Sequence, residues 1–191
     1  MTSEGVPYDA VDSHAELIGW SRACCRRAVR RTDLAVDLDR VDWRVSTRAK
    51  RRAAAVERPR IPDATVGTPL DWAAADAAEG SEPPSCTVAL TWAAFEAFSR
   101  AEWRETLRHE LIHVEQFQRF GTTGHGAAFR RRADDLDASV HCRRFSTPSY
   151  RLYCTACGDV VARRYQKSKL VRNHGRYRSA CCDAPLDRED V

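Results

Sequence analysis

The chain has 191 residues and a formal net charge of +4, a size that suits one main domain with a small appendage. No run of eighteen apolar residues occurs, which excludes a membrane-spanning helix, and Met1 to Asp12 lacks the basic-then-apolar pattern of a secretory leader. A cytoplasmic protein is expected, nucleoid-associated if the organism is prokaryotic, and its eight cysteines then point to metal before disulfides.

Charge is segregated along the chain. Residues 26–60 carry twelve Lys and Arg against five Asp and Glu, and residues 143–178 carry ten against one, Asp159. Between these blocks, residues 61–85 hold five acids and no base. The bases are almost all Arg, which can grip phosphate in two-pronged fashion and stack on nucleic-acid bases.

Ser13 to Arg31 reads as an amphipathic helix with Leu17, Ile18, Ala23 and Ala28 turned inward. Cys24 and Cys25 lie on it without a partner pair and read as core or surface thiols; His14, at its start, reads as surface. Val41 to Val45 alternates apolar and polar residues, as a half-buried strand does. Arg48 to Val56 continues as a return strand or a basic turn. Residues 57–85 hold five prolines and predict a loop or insertion, partly disordered, with a short helix around Trp72. Cys86 to Thr91 is a second strand, with Cys86 a small core residue. Thr91 then caps a helix from Trp92 that turns Phe95 and Phe98 inward.

The next helix, from about Glu102, carries His109-Glu110-Leu111-Ile112-His113. Histidines four apart on a helix lie about 40° apart around its axis and about 6 Å along it, so both imidazoles reach one metal. Glu110 is placed to act as general base toward a water activated there. His109 and His113 share a face with Phe117 and Phe120, while Arg104, Arg108, Glu115 and Arg119 share the opposite one. The histidines therefore sit on the buried face, where unpaired imidazoles are costly unless something binds them. Gly121 ends the helix. His125, in Gly124-His125-Gly126, opens a second helical run from Ala127 to Ser139 and can fold back as the third ligand. Three imidazoles with one open position suit zinc. His141, beside Cys142, reads as core or surface without a role.

Beyond a linker at Arg143 to Ser149 lies a tail with few aliphatics. Cys154-Thr155-Ala156-Cys157-Gly158 has the form of a metal knuckle, and Cys181-Cys182 follows. Val160 to Tyr165 and Gly175 to Arg178 are expected as hairpin strands between them. So small a tail needs a metal to fold, and a structural zinc on Cys154, Cys157, Cys181 and Cys182 supplies it. Adjacent cysteines are unusual in this setting. Either both ligate through an uncommon turn, or one ligates and His174 completes the set. The competing reading is a disordered basic tail.

These features together resemble the SprT-like zinc metalloproteases, the family that includes Spartan. The resemblance rests on Val41-Asp42-Trp43-Arg44-Val45-Ser46-Thr47-Arg48, on Val88-Ala89-Leu90-Thr91, on Leu107 to His113, and on Gly124-His125-Gly126-Ala127-Ala128-Phe129. A C-terminal zinc ribbon is also common in that family. Ser179-Ala180-Cys181-Cys182 stands where its second Cys-x-x-Cys would be, so that Cys182 aligns and Cys181 substitutes for a ligand at Ser179. The resemblance implies an α+β fold. A small zincin-like domain, helices on a short sheet, would occupy residues 13–142 with an acidic insertion at about 61–85. A zinc-ribbon β-hairpin module would occupy 150–187, with 1–12 and 188–191 flexible.

The implied function is DNA-associated proteolysis of proteins bound or crosslinked to DNA. It uses one catalytic zinc on His109, His113 and His125, Glu110 as general base, and one structural zinc. Arg163, Arg164, Lys167, Lys169, Arg172, Arg176 and Arg178, with tyrosines among them, are the expected nucleic-acid contacts. A monomer without membrane association is expected. Two other readings stay open: a zinc-stabilised nucleic-acid-binding protein without significant peptidase activity, and a zinc peptidase unrelated to DNA.

Overall fold

A computed structural model describes residues 6–75, 80–141 and 143–191. The chain divides into two compact units, Met1–Phe145 and Ser146–Val191. Among the described residues no helix is long and apolar enough to cross a membrane.

The first unit is built on a three-stranded sheet of β1 (Val41–Ser46), β2 (Ala54–Glu57) and β3 (Cys86–Thr91), in the order β1-β3-β2. β3 pairs parallel with β1 and antiparallel with β2, with Leu90 opposite Val45 on one side and Ala54 on the other. A central strand loses both faces to the interior and needs no polar alternation. β3 reads Cys-Thr-Val-Ala-Leu-Thr accordingly, with Val88 and Leu90 almost wholly buried. The parallel pair requires a crossover, and the long stretch between β1 and β3, including β2, provides it.

Among the described residues four helices complete this unit: α1 (His14–Arg31), α2 (Trp92–Ala97), α3 (Arg100–Phe120) and α4 (Ala127–Asp135). Ser13 caps α1 through the Glu16 amide. Leu17, Ser21 and Cys25 recur every four residues and form its buried stripe against α3. Trp103 of α3 is fully buried there and donates its indole N–H to Ser21 Oγ at 3.2 Å. Truncating it to Ala should cost about 3–5 kcal/mol.

α3 begins in a capping box. Ser99 Oγ accepts the Glu102 amide at 3.3 Å, and Glu102 Oε2 accepts the Ser99 amide at 2.7 Å. The helix ends at Gly121, whose φ of 70° is open to glycine and strained for other residues. A Cβ there would also stand 2.7 Å from Leu70 Cδ2.

That contact bears on the acidic segment. A partly disordered insertion was expected, yet residues 61–75 are tied to the end of α3. The Leu70 amide donates to Arg119 O at 3.0 Å, and Trp72 donates its indole N–H to Gln118 O at 2.8 Å while its ring meets Phe117 edge-on. The last carbonyls of α3 have no partner inside the helix, and this segment supplies one. The short helix expected at Trp72 is present as a 3-10 turn, Trp72–Ala74. Residues 76–79 of the insertion, residues 1–5 and Cys142 lie outside the described residues.

The second unit carries β4 (Tyr150–Cys154), β5 (Val160–Arg164), a short helix α5 (Lys169–Arg172) and β6 (Leu186–Asp190). Its strands form an antiparallel sheet in the order β5-β4-β6. Three expectations are corrected here. Gly175 to Arg178 is not a hairpin strand: His174–Arg176 forms a 3-10 turn, and β6 takes the place on the sheet. Residues 188–191 are not loose, because β6 pairs with β4 as far as Asp190. At the other end, Tyr8 and Val11 are buried, and the Tyr8 hydroxyl donates to Phe98 O at 2.9 Å, so these two residues anchor the segment to the core.

Glu102 links the cap of α3 to Arg143, with which it forms an ion pair. The Ser99 amide above all, and then Arg143, hold its carboxyl down at about 2. A carboxyl lowered on folding contributes stability above its unfolded value of about 4.5, and that contribution is lost as pH falls through the folded value. Glu102→Gln should therefore lower the Tm at pH 7, and the gap to wild type should close between pH 4.5 and 2. Thermal melts in a chelator across that range test this, and a gap independent of pH would refute it.

Candidate metal centre and catalytic site

The buried face of α3 brings His109, Glu110 and His113 to one cavity, and the turn after Gly121 returns His125 to the same place. The Nε2 atom of His125 lies 3.0 Å from that of His113 and 3.1 Å from that of His109. Three nitrogens bound to one tetrahedral zinc would stand about 3.3 Å apart, from a bond length near 2.05 Å. The convergence thus fits a metal ion.

Tautomers reinforce the fit. His109 Nδ1 lies 2.8 Å from Ser139 O, a carbonyl that can only accept, so Nδ1 carries the proton. His113 Nδ1 lies 3.1 Å from Gln116 Oε1, again an acceptor. Both rings therefore turn an unprotonated Nε2 to the shared point. Burial, and then the neighbouring imidazoles, hold His113 down at about 4. His109 and His125 are lowered as well, chiefly by burial. All three are accordingly neutral near pH 7, which is the ligating form.

Phe129 of α4 is buried beneath the cluster. Its ring centroid lies 4.8 Å from those of His109 and His113 and 4.6 Å from that of His125. α4 is fixed in turn by Arg132, whose guanidinium meets Glu115 of α3 at 3.1 and 3.2 Å and Asp33 at 2.7 Å. Arg108 donates to Asp137 O just beyond α4. The outer face of the metal helix is thus a clamp for α4 rather than a solvated surface.

Glu110 is 5 % exposed, and its Oε2 meets no hydrogen-bond partner among the described residues. Burial raises its carboxyl to about 8, against the opposing pull of the Val56 backbone amide and the Arg52 charge. A dication among the imidazoles would favour the carboxylate and so oppose that rise. The cavity they share is about 440 Å³. Arg52 to Val56, including most of β2, form one wall, and Ser139 to His141 contribute to the lining. The edge of β2 away from β3 is unpaired among the described residues.

The second cluster joins Cys154, Cys157, Cys181 and Cys182, whose sulfurs all lie within 4.8 Å of one another. A tetrahedral zinc with four thiolates sets sulfurs about 3.8 Å apart. Both adjacent cysteines converge, and His174 stands outside the group with its Nδ1 on Val171 O at 3.2 Å. Ser179, at the position a cysteine would take, donates its hydroxyl to Cys154 Sγ at 3.2 Å and accepts the Ala184 amide. That hydroxyl, then the Cys157 and Ala156 amides, bring the Cys154 thiol down to about 6. Both donor sets fit zinc.

The sequence reading missed Gln116, Ser139, Arg52 and His141. His141 is exposed, as one of its two expected placements had it, but it lines the cavity. A buried amide one turn after a ligand was the available signal for Gln116. Ser139 acts through its backbone carbonyl and leaves none. The seven basic residues expected to meet nucleic acid all lie in the second unit, mostly exposed.

A His-Glu-x-x-His helix, a third imidazole from the following turn and an open strand edge above them make a centre of metallopeptidase type. The model of the SprT-like family matches residues 21–151, and the chain belongs to that family. A metalloprotease-like function follows from membership. Comparison with curated proteins and with solved structures gave no match.

Zinc analysis of the purified chain should give two ions per molecule. His113→Ala, and separately the pair Cys157→Ser with Cys182→Ser, should each leave one. An unchanged count in either variant would remove that cluster from the ligands.

Proposed function

We propose that this protein is a zinc-dependent endopeptidase that cleaves proteins bound or crosslinked to DNA. The observation that carries the peptidase reading is the meeting of three Nε2 atoms with the buried Glu110 carboxyl in a cavity walled by an open strand edge. Zinc held by His109, His113 and His125 would polarise the scissile carbonyl and lower the pKa of the attacking water. Glu110 takes a proton from that water and passes it to the leaving amine. Its apolar enclosure suits a group that must hold and release a proton near neutrality. β2 offers backbone donors and acceptors along its free edge, so an extended polypeptide can pair with it and lie across the cavity. Such seating asks for no chain end and favours internal cleavage.

The charge of the second unit supports the DNA part of the reading. Arg163, Arg164, Lys167, Lys169, Arg172, Arg176 and Arg178 form no ion pair with a carboxylate among the described residues. The acids of β6 pair close to home: Glu189 with Arg151, and Asp190 with Arg188. Unpaired cations release counterions on meeting phosphate, which drives binding. Tyr177, 37 % exposed, offers a ring on which a base can stack.

Glu110→Gln should keep both zinc ions and lower cleavage of a protein–DNA conjugate about a hundred- to ten-thousand-fold. Turnover equal to wild type would refute the catalytic assignment. Arg163→Ala, Arg164→Ala and Arg172→Ala together should weaken DNA binding and flatten its salt dependence by about two to three phosphate contacts. Salt-dependent DNA binding with no cleavage of any conjugate would favour the nucleic-acid-binding protein instead. Cleavage indifferent to DNA would favour a peptidase that works apart from it.

A further inference from the structure

Gln116 is 5 % exposed and lies three residues after His113 on α3. Its side chain makes three hydrogen bonds. Nε2 donates to Gly124 O at 3.1 Å, and Oε1 accepts the Gly124 amide at 3.0 Å. Oε1 also meets His113 Nδ1 at 3.1 Å. The two bonds to Gly124 admit one orientation of the amide, because the flipped group would set donor on donor and acceptor on acceptor. Oε1 is therefore fixed as an acceptor, and the proton between it and His113 must sit on Nδ1. That places the lone pair of His113 on Nε2, which faces the other two imidazoles.

The same amide grips the residue before His125. No hydrogen bond to the Nδ1 of His125 is found among the described residues, so its ring is placed by the turn that carries it. His109 is oriented separately, by Ser139 O.

We propose that Gln116 is a positioning residue that sets the metal affinity of the three-histidine centre. It fixes the tautomer of the second ligand and, through Gly124, the location of the third. The proposal rests on His109, His113 and His125 being metal ligands. Partners of ligating histidines typically change metal affinity ten- to a hundredfold when removed.

The test uses the full chain and zinc itself, with affinity from chelator competition and the His113 tautomer from long-range proton–nitrogen NMR of the metal-free protein. Gln116→Leu keeps much of the volume and removes every polar contact. It should bind zinc at the histidine centre about ten- to a hundredfold more weakly, with His113 in mixed tautomers and the cysteine site still filled. Gln116→Glu keeps the acceptor for His113 and the Gly124 amide and turns an oxygen toward Gly124 O in place of the donor. It should stay within about tenfold of wild type and hold His113 in the Nδ1–H form. Wild-type affinity in Gln116→Leu overturns the proposal. Should Gln116→Leu not fold, Gln116→Glu decides alone: mixed tautomers with undiminished affinity overturn the proposal. His113→Ala separates the two levels. If it loses no zinc, the ligand reading itself fails; if it loses one while Gln116→Leu binds normally, only the role of Gln116 fails.

Discussion

The Nε2 lone pairs of His109 and His113 aim at one point, where their repulsion opposes the convergence, and the Nε2 of His125 joins them within 3.1 Å of each. His113 is buried and His109 half-buried, while His125 is exposed. Such an arrangement persists only when the surrounding chain holds each ring against that repulsion, and a cation then turns the repulsion into attraction. Much of the first unit serves this constraint. Phe129 lies beneath the rings, Ser139 O and Gln116 Oε1 fix two of them from behind, and Arg132 locks the helix that carries Phe129 to the helix that carries His109 and His113. Groups outside the three histidines thus supply much of the geometry of the centre.

Glu110 is held under a related tension. A carboxyl in an apolar setting prefers its proton, while a nearby dication prefers the anion. The two influences act in opposite directions on one group within reach of the cavity. Adjusting burial on one side and charge on the other lets a carboxyl exchange protons near neutrality, and the Arg52 charge already contributes on the second side.

The sequence disclosed what repeats or what is chemically rare. The helix of His109 and His113, the glycines around His125 and the strand Cys86–Thr91 were legible because spacing and composition determine them. The four cysteines were legible as a group, although the fate of His174 depended on a turn that spacing does not encode. What stayed hidden was mainly backbone and long-range. Ser139 supports His109 through a carbonyl that any residue could provide. Proline and acid content made residues 61–75 look loose, yet Leu70 and Trp72 are needed at the end of α3 to satisfy Arg119 O and Gln118 O. The last strand, Leu186–Asp190, is mostly charged, and its place in the sheet follows from pairing with β4 rather than from its own hydrophobicity. A helical wheel also treats charged positions as solvent-facing, and so Glu115 passed for surface when it joins two helices through Arg132.

The position of β2 in the chain has a consequence for how the molecule assembles. All three histidines and Glu110 lie between residues 109 and 125, so one short stretch of chain can gather them. The strand across the cavity, Ala54–Glu57, comes from more than fifty residues earlier and is held there by pairing with β3. Closing long loops is entropically dearer and slower than closing short ones. The ligand set is thus gathered by local chain closure, while the wall beside it depends on pairing across the sheet.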